Sequence, residues 1–354
     1  MKNILDRLVG GTALIIVRIP VEEEDPMTRG LAPSRRRVLA ALAAAAAVAP
    51  FGALAQGMSR RPVRIIVPFT PAAGPDIVAR LLAPRLQARW DQPFFVENRP
   101  GASGTIGTEV VVKSPPDGHT IMVGPASIVT APHLYPNISY DVVKDLTAVT
   151  NVGSTSLALV VHKSVPVDTV QEFIAWVKSQ PGKLNYGSPG NGTHHHFCME
   201  LLKLQAGLDI VHVPYKGSAP AENDLIAGVI PTMFLPIHVA LPKIKAGQIK
   251  VLGESLKARH PLFPDIPSLH EQGVTGYDVD LWIGVWAPPG LPSDLIAKYN
   301  SEIRAIVAQP EMQEQLARQG LVPNTGAPEQ FARLVKEDFE KWGRVIRDAK
   351  IKAD

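Results

Sequence analysis

The chain has 354 residues, of which 45% are hydrophobic and 19% are charged. This is enough for one large or two ordinary folded domains, and it excludes both a disordered chain and a small disulfide-stabilised protein. Cys198 is the only cysteine, so an internal disulfide is impossible. Residues 1–55 hold 7 of the 36 basic and 5 of the 33 acidic side chains, so the remainder is nearly neutral. A near-neutral body is a poor partner for nucleic-acid phosphates, and we expect no nucleic-acid binding.

The N-terminal segment has the layout of an export signal. Arg35 to Arg37 precede the apolar run Val38–Val48, and Ala53-Leu54-Ala55 places small residues at a cleavage site. The run is shorter than the roughly 20 residues that a membrane-spanning helix needs. We expect residues 1–55 to be an N-terminal extension and signal peptide, with Met27 as the true start, cleavage after Ala55 and a periplasmic product. A membrane-anchored helix is the alternative, and the route, Sec or twin-arginine, stays open.

The first part of the mature chain alternates between strand and helix patterns. The β-branched run 64–69 predicts a strand, the small-residue loop Thr70–Gly74 follows, and a helix is predicted from Pro75. Further strands are predicted at 94–97 and 120–123, separated by a helix that ends near Val112. This alternation is typical of βαβ units with a mainly parallel sheet.

The pattern then repeats. A strand is predicted at Leu157–Val161, and Asp168–Gln171 resembles a capping box before an amphipathic helix. The glycine-rich loop Ser188–Thr193 leads into a helix from about His194 to Gln205, and one apolar face runs from Phe331 to Ile346 near the C-terminus. Short strands are also predicted at 184–187, 211–214, 232–234 and 250–253. Together these patterns predict two α/β lobes.

Two loops share one design that suits an anion. Thr70–Gly74 and Ser188–Thr193 each leave a predicted strand, lack bulky side chains and enter a helix. Such a turn presents free backbone N–H groups and the positive end of the helix dipole. A carboxylate would fit there without any arginine. Most comparable turns bind nothing, so the loops alone do not establish a site.

Two other kinds of chemistry stay open on the residues alone. His194-His195-His196 invites a metal site, although consecutive helical side chains diverge by about 100° and ligand pairs prefer a spacing of three or four. An exported hydrolase would use Ser188 or Cys198 with a histidine. The sequence has no GxSxG elbow, and Cys198 falls inside a predicted helix.

A family resemblance spans residues 61–350 and rests on several short motifs in the same order. They include Val63 to Phe69 (VRIIVPF), Val96 to Gly101 (VENRPG), Pro116 to Gly118 (PDG), His212 to Gly217 (HVPYKG) and Lys245 to Gly247 (KAG). In these motifs the chain resembles the Bug family, the receptor component of tripartite tricarboxylate transporters.

The resemblance implies a bilobal periplasmic-binding-protein fold of type II, with two mixed-sheet α/β lobes and a hinge that the chain crosses twice. We expect residues 60–157 with 285–354 to form lobe 1 and residues 158–284 to form lobe 2. The implied function is a non-catalytic receptor without a cofactor, which captures a mono-, di- or tricarboxylate between its lobes. A membrane permease or a sensor protein is the implied partner.

The resemblance also implies a set of ligand-binding residues, in which Asp76 braces the first loop or holds a water. The expected first-lobe wall is Phe69, Thr70, Pro71, Ala72, Ala73 and Asp76, with Ala102, Ser103 and Ser127 behind it. The expected second-lobe wall is Ser188, Gly190, Thr193 and His196, with Tyr215 and Lys216.

The chain departs from the family pattern at three places. Ala72 and Ala73 replace two glycines of the usual first loop, which makes a positive φ costly there. Leu235 replaces an aspartate, so recognition of a ligand ammonium group is not expected at that position. Trp282 and Tyr215 are available either for stacking on an aromatic ligand or for packing.

Overall fold

The computed structural model describes residues 61–135 and 137–352. The expected export signal, its cleavage site and Met27 lie outside these ranges. No helix within them has the length and apolar character needed to cross a bilayer. The described residues fall in one compact unit, and their strands form two separate sheets.

Strands and helices alternate along most of the described chain. The first elements are β1 (Val63–Val67), α1 (Gly74–Trp90), β2 (Phe94–Asn98), α2 (Thr105–Val112), β3 (Thr120–Pro125), α3 (Ser127–Leu134), β4 (Thr147–Thr155) and β5 (Leu157–His162). They continue with α4 (Val170–Lys178), β6 (Asn185–Ser188), α5 (His194–Ala206), β7 (Val211–Pro214), α6 (Ser218–Ala227), β8 (Thr232–Pro236), α7 (Ile237–Lys245) and β9 (Ile249–Glu254). The last are β10 (Leu281–Ala287), α8 (Ser293–Val307), α9 (Pro310–Ala317), β11 (Val322–Pro323) and α10 (Pro328–Asp348).

Each sheet is the centre of one lobe. The sheet of the first lobe has the strand order β11-β4-β10-β3-β1-β2, and that of the second lobe has the order β7-β6-β8-β5-β9. β1 pairs parallel with β2 and β3, and β6 pairs parallel with β7 and β8. The bilobal α/β fold with mixed sheets is therefore confirmed.

The expectation of a mainly parallel sheet is wrong for three of the five strand pairings in the first sheet and for two of the four in the second. β10 runs antiparallel to β3 and β4, and β5 runs antiparallel to β8 and β9. The reason is that β4, β5, β9 and β10 flank the two passages of the chain between the sheets. A parallel strand that follows another in the same sheet needs a crossover connection, usually a helix. These four strands are joined to the other lobe through the hinge, so that requirement does not apply to them.

The two passages lie side by side and are joined by buried hydrogen bonds. Ser156 is the only residue between β4 and β5, and its hydroxyl donates to Glu254 at the end of β9 (2.8 Å). On the return passage the Ser255 hydroxyl accepts from the Leu157 N–H (3.0 Å) and donates to the carbonyl of Val279 (2.7 Å). These bonds define the hinge.

Helix α10 ties the two lobes a third time. Its Phe331 and Val335 pack in a core of the first lobe, whereas Trp342 and Ile346 pack in the core of the second lobe. The Trp342 ring stacks on Phe197 of α5 with 5.3 Å between the ring centroids. The apolar face predicted for this helix is thus shared between two cores.

Candidate functional site

A cavity of about 320 Å³ lies between the lobes and has an apolar lining. The first lobe contributes Ala72, Gly74, Ile77, Pro125, Ala126, Thr155, Leu281, Trp282, Ile283, Gln319 and Leu321, and the second contributes His194, Pro236 and His238. Among the described residues, the lining includes no aspartate, glutamate, lysine or arginine.

Four helices begin at this cavity. Gly74 is the first residue of α1 and His194 the first of α5, while Ala126 directly precedes α3 and Pro236 directly precedes α7. The first N–H groups of a helix have no partner inside it, and the helix dipole adds about half a positive charge there. Of these four helix starts, only that of α5 has a side-chain cap in the described structure, from Thr193. The backbone therefore makes this apolar cavity favourable for an anion.

The first loop is fixed by Asp76. Its Oδ2 accepts hydrogen bonds from the N–H of Ala72 (2.8 Å) and from Nε of Arg80 (2.9 Å). Asn98 Nδ2 donates to Oδ1 (2.9 Å) and also to the carbonyl of Phe69 (3.0 Å), so it joins the carboxylate to the end of the preceding strand. Asp76 is 2% exposed and is not part of the cavity lining.

The charge of Asp76 is neutralised where it stands. Burial alone would raise the pKa of Asp76, but hydrogen bonds from Arg80, Ala72 and Asn98 and the charge of Arg80 outweigh it and hold the pKa below 3.8. Asp76 is therefore ionised at neutral pH and paired with Arg80. This arrangement braces the loop, as expected, without placing a negative charge on the cavity wall.

The second loop is held by its own polar groups. The Ser188 hydroxyl donates to the carbonyl of Gly190 (3.0 Å), and a hydrogen bond of 2.7 Å joins it to Nε2 of His212. Thr193 Oγ1 donates to the same carbonyl (2.9 Å) and accepts from the N–H of His196 (3.4 Å), which caps α5. These bonds fix the position at which α5 begins. The loop contributes to the cavity only through His194, the first residue of that helix.

In the described structure, all six predicted residues of the second-lobe wall lie outside the cavity lining, including Ser188, Gly190 and Thr193 of the second loop. His196 is 5% exposed and stacks on His212 with 3.8 Å between ring centroids. Burial is the main reason that the pKa of His196 falls to about 4, so the ring is neutral at neutral pH. The Tyr215 hydroxyl donates to Asp224 (2.7 Å), and Lys216 is exposed.

Of the nine residues predicted for the first-lobe wall, the described structure places Ala72 alone in the cavity lining. Phe69 packs against both cores of the first lobe, and Ser103 Oγ lies 3.2 Å from the Tyr135 hydroxyl. Thr70, Pro71, Ala73, Ala102 and Ser127 are outside the lining, although Ala73 and Ser127 adjoin lining residues in the chain.

Sequence reasoning missed most of the lining. The histidine triplet carried a signal, but the expected wall residue was His196, whereas the structure places His194 in the lining. Thr155 and His238 carried none, since no motif marks the end of β4 or the start of α7. Trp282 lines the cavity and is fully buried, and its indole N–H donates to Asp338 (2.6 Å). Leu235, by contrast, lies in the core of the second lobe.

The lobes approach closely on two sides of the cavity. A Cβ built on Gly192 would lie 2.4 Å from Cδ1 of Leu134 in the first lobe. A Cβ built on Gly320 of the first lobe would lie 2.8 Å from Nδ1 of His238. Both glycines have positive φ, so a side chain at either position would be strained and would also crowd the opposite lobe. The two lobes are therefore in contact on two sides of the cavity.

The two alternative chemistries can be compared with the geometry. His194 lines the cavity whereas His196 is stacked in the interior, and the described residues contain no group of three His, Cys, Asp or Glu side chains placed to hold a metal ion. Ser188 is bonded to His212 but is fully buried. Burial also raises the pKa of the Cys198 thiol to about 12, which disfavours a thiolate.

Comparison with known proteins identifies the family. The model of the tripartite tricarboxylate transporter family receptor, TctC, matches residues 78–351. Protein BugT of Bordetella pertussis is 33% identical over 296 residues, which cover 82% of this chain and 91% of BugT. The structure of R. palustris Rpa4515 with adipate is 33% identical, with a TM-score of 0.72 and coverage of 83% of this chain and 99% of that one. MatC from Rhodopseudomonas palustris with bound malate is 31% identical, with a TM-score of 0.68 and coverage of 81% and 99%. The chain therefore belongs to the Bug/TctC family of tripartite tricarboxylate transporter receptors and has their bilobal fold.

Proposed function

We propose that the chain is a periplasmic solute receptor that binds a small carboxylate in the cavity between its lobes and releases it unchanged. Family membership supports the receptor role, and a cavity bounded by contacts between the two lobes supports capture between them. The proposal includes a membrane permease or a sensor protein as the partner that recognises the closed form. It also includes export of the mature protein after cleavage at Ala55.

The observation that carries the proposal is the meeting of four helix starts at a cavity without charged side chains. Each dipole contributes about 0.3–1 kcal/mol toward an anion, and up to about 2 kcal/mol when the charge is partly buried. A hydrogen bond to a charged group adds about 1.5–3 kcal/mol. A few such contacts supply the roughly −8 kcal/mol that micromolar affinity requires. Enclosure strengthens them because it removes water from around the charge.

Two relatives support a carboxylate as the ligand class. Rpa4515 is described with adipate and MatC with malate, and each is more than 30% identical to this chain over most of its length. Both compounds are dicarboxylic acids of small size. We infer a ligand of the same chemical class for this chain.

The two predicted loops belong to the proposal as supports of the site. In this view Thr70–Gly74 and Ser188–Thr193 position the starts of α1 and α5, and the other predicted wall residues shape the entrance. The expected lobes were residues 60–157 with 285–354 and residues 158–284. The second boundary moves in the proposal, because β10 (Leu281–Ala287) lies in the sheet of the first lobe. The end of α10 belongs to the first lobe by sequence, but Trp342 and Ile346 pack in the core of the second lobe, so we assign this end of the helix to both lobes.

Titration calorimetry of the purified protein tests the function. The panel contains mono-, di- and tricarboxylates and, for each acid, its uncharged primary amide. We expect at least one carboxylate to bind with micromolar or tighter affinity and its amide to bind at least about a hundredfold more weakly, since the amide loses the charge-assisted contacts. Binding of amides but of no carboxylate would contradict the proposal.

A further inference from the structure

His196 accepts a hydrogen bond from the loop that precedes its own helix. The main-chain N–H of Gly192 donates to Nδ1 of His196 at 3.2 Å, and both residues are buried. An imidazole nitrogen that accepts a hydrogen bond carries no proton, so this contact determines the protonation state of Nδ1. The ring is neutral at neutral pH, and its one proton is therefore on Nε2.

Glu200 favours that tautomer from the other side of the ring. Its Oε1 lies 3.9 Å from Nε2 of His196, which is too far for a hydrogen bond but close enough for the carboxylate to attract the N–H. The same oxygen accepts from the hydroxyl of Tyr186 on β6 (2.5 Å) and from Nζ of Lys203 on α5 (2.7 Å). These two bonds hold Glu200, which is 6% exposed, in place beside the imidazole.

A second histidine supports the other end of the loop. The Ser188 hydroxyl donates its proton to the carbonyl of Gly190, so Nε2 of His212 is the donor in the 2.7 Å bond that joins His212 to Ser188. The rings of His212 and His196 are stacked, with an angle of 15° between their planes. One pair of imidazoles, from β7 and α5, therefore holds both Ser188 and Gly192.

Gly192 is also where the second loop meets the first lobe. A side chain at this position would collide with Leu134, the last residue of α3. Leu134 is 8% exposed and packs in the core of the second lobe, whereas Ile128 and Val129 of the same helix pack in a core of the first lobe. The contact between the lobes on this side of the cavity thus depends on where Gly192 is held.

We propose that His196 is a positioning residue, whose unprotonated Nδ1 holds Gly192 against Leu134 and thereby sets the affinity for a solute that His196 itself does not touch. The inference rests on the proposed receptor function and adds to it a residue that controls the contact between the lobes. Without this acceptor the buried Gly192 N–H would have no partner, so the loop would move away from Leu134 to reach water. His196 lies outside the cavity lining of the described structure, in agreement with an indirect role.

The tautomer of His196 can be measured in the native protein without any ligand. NMR spectra that correlate the ring protons with the ring nitrogens distinguish the two neutral forms of histidine. We expect the proton on Nε2 at pH 7. A proton on Nδ1 would overturn the proposal, because Nδ1 could then not accept from Gly192.

Two substitutions separate the acceptor from the packing of the ring. His196→Asn places Oδ1 at the position of Nδ1 but removes the ring that stacks on His212, whereas His196→Leu retains apolar bulk and has no acceptor. Hydrogen exchange of the Gly192 amide should be at least about tenfold faster in His196→Leu and close to native in His196→Asn. His195→Leu is the matched control and should leave this exchange unchanged, since neither ring nitrogen of His195 has a hydrogen-bond partner in the described structure.

Affinity is measured by calorimetry with the acid of the carboxylate panel that the native protein binds most tightly. His196→Leu should bind this acid about tenfold more weakly, and His196→Asn should bind it within about threefold of the native affinity. Equal losses in the two variants, or no loss in His196→Leu, would overturn the positioning role while the receptor function stands.

Failure of the receptor function has a different signature. If no acid of the panel binds the native protein, the receptor function is overturned, and with it the effect of His196 on affinity. The tautomer and the exchange of the Gly192 amide need no ligand, so they decide separately whether His196 holds the loop.

Discussion

The main-chain N–H of Ala72 donates to Oδ2 of Asp76 at 2.8 Å while Ala72 has a φ of 66°. A left-handed conformation costs an alanine about 1–2 kcal/mol, because its Cβ approaches the following carbonyl oxygen. The buried carboxylate compensates for that cost by accepting the Ala72 N–H. Asp76 thus determines the shape of the loop that brings Ala72 to the cavity.

Asp76→Asn should lower the free energy of unfolding by about 1–3 kcal/mol, because it removes charge-assisted bonds to Ala72 and Arg80. Urea denaturation at pH 7 measures the loss. The native pKa of Asp76 lies below 3.8, so its stabilising effect is present above that pH and is lost as the pH falls through the lower native value. Asp168→Asn is the control, since that paired carboxylate is 79% exposed. Equal losses in the two variants would contradict the bracing role.

Ala72→Gly should stabilise the protein by about 0.5–1 kcal/mol, because glycine adopts a positive φ without a steric cost and loses only part of that gain to chain entropy. Thermal unfolding of the free protein provides the measurement. Ala79→Gly, in the middle of α1, should destabilise by about 1 kcal/mol. A stability decrease in both variants would show that the left-handed loop is not strained.

The free energy of unfolding is expected to depend on pH through Glu254 at the hinge. Burial raises its pKa to about 7, although hydrogen bonds from the His260 N–H and from Ser156 oppose the shift. The folded state therefore holds this proton more tightly than the unfolded state, and stability is lost as the pH rises from about 4.5 to above 7. Glu254→Gln should remove this component and stabilise the protein by roughly 3 kcal/mol at pH 8.

Urea denaturation of both proteins between pH 5 and pH 8 gives the comparison. The difference between variant and native protein isolates Glu254 from other groups such as Asp280, whose pKa burial also raises to about 7. A difference that is constant across this range would be incompatible with a buried, titrating Glu254.

Gly192→Ala should weaken ligand binding by about tenfold or more, because the new Cβ would meet Leu134 of the opposite lobe and hinder closure. Gly207→Ala is the matched control: Gly207 also has a positive φ, of 63°, but has nothing within 4 Å of an added Cβ. Calorimetry measures affinity, and small-angle scattering with and without ligand measures compaction. Equal effects of the two alanines would mean that backbone strain, and not the contact with Leu134, is responsible.

Local patterns in the sequence predicted much of the fold. The strand predicted at 64–69 is Val63–Val67, and the helix predicted from about His194 to Gln205 is His194–Ala206. Both are marked by their own residues, through β-branched character and helical apolar spacing. The antiparallel entry of β10 had no such mark, because the direction of a strand depends on where the preceding chain has been. The family resemblance, which covers the whole mature chain, supplied the bilobal arrangement.

The cavity was harder to predict, because its walls come from distant parts of the chain. His238 and Gly320 are in contact across the lobes, and neither position belongs to a recognisable motif. Ala72 was expected at the site, and a positive φ was expected to be costly for it. It nevertheless adopts a φ of 66°, because Asp76 accepts a hydrogen bond from its N–H. The loops that were predicted contribute through the starts of α1 and α5, whereas their side chains are mostly engaged within the loops.

The C-terminal helix is anchored in both lobes, with Phe331 at one end and Trp342 at the other. Rotation of the lobes about the Ser156 and Ser255 passages must therefore either bend this helix or draw Trp342 away from Phe197. We therefore expect helix α10 to limit how far the two lobes can separate. Release of a bound solute is then expected to depend on the stacking of Trp342 on Phe197, a residue of the helix that begins at the loop Ser188–Thr193.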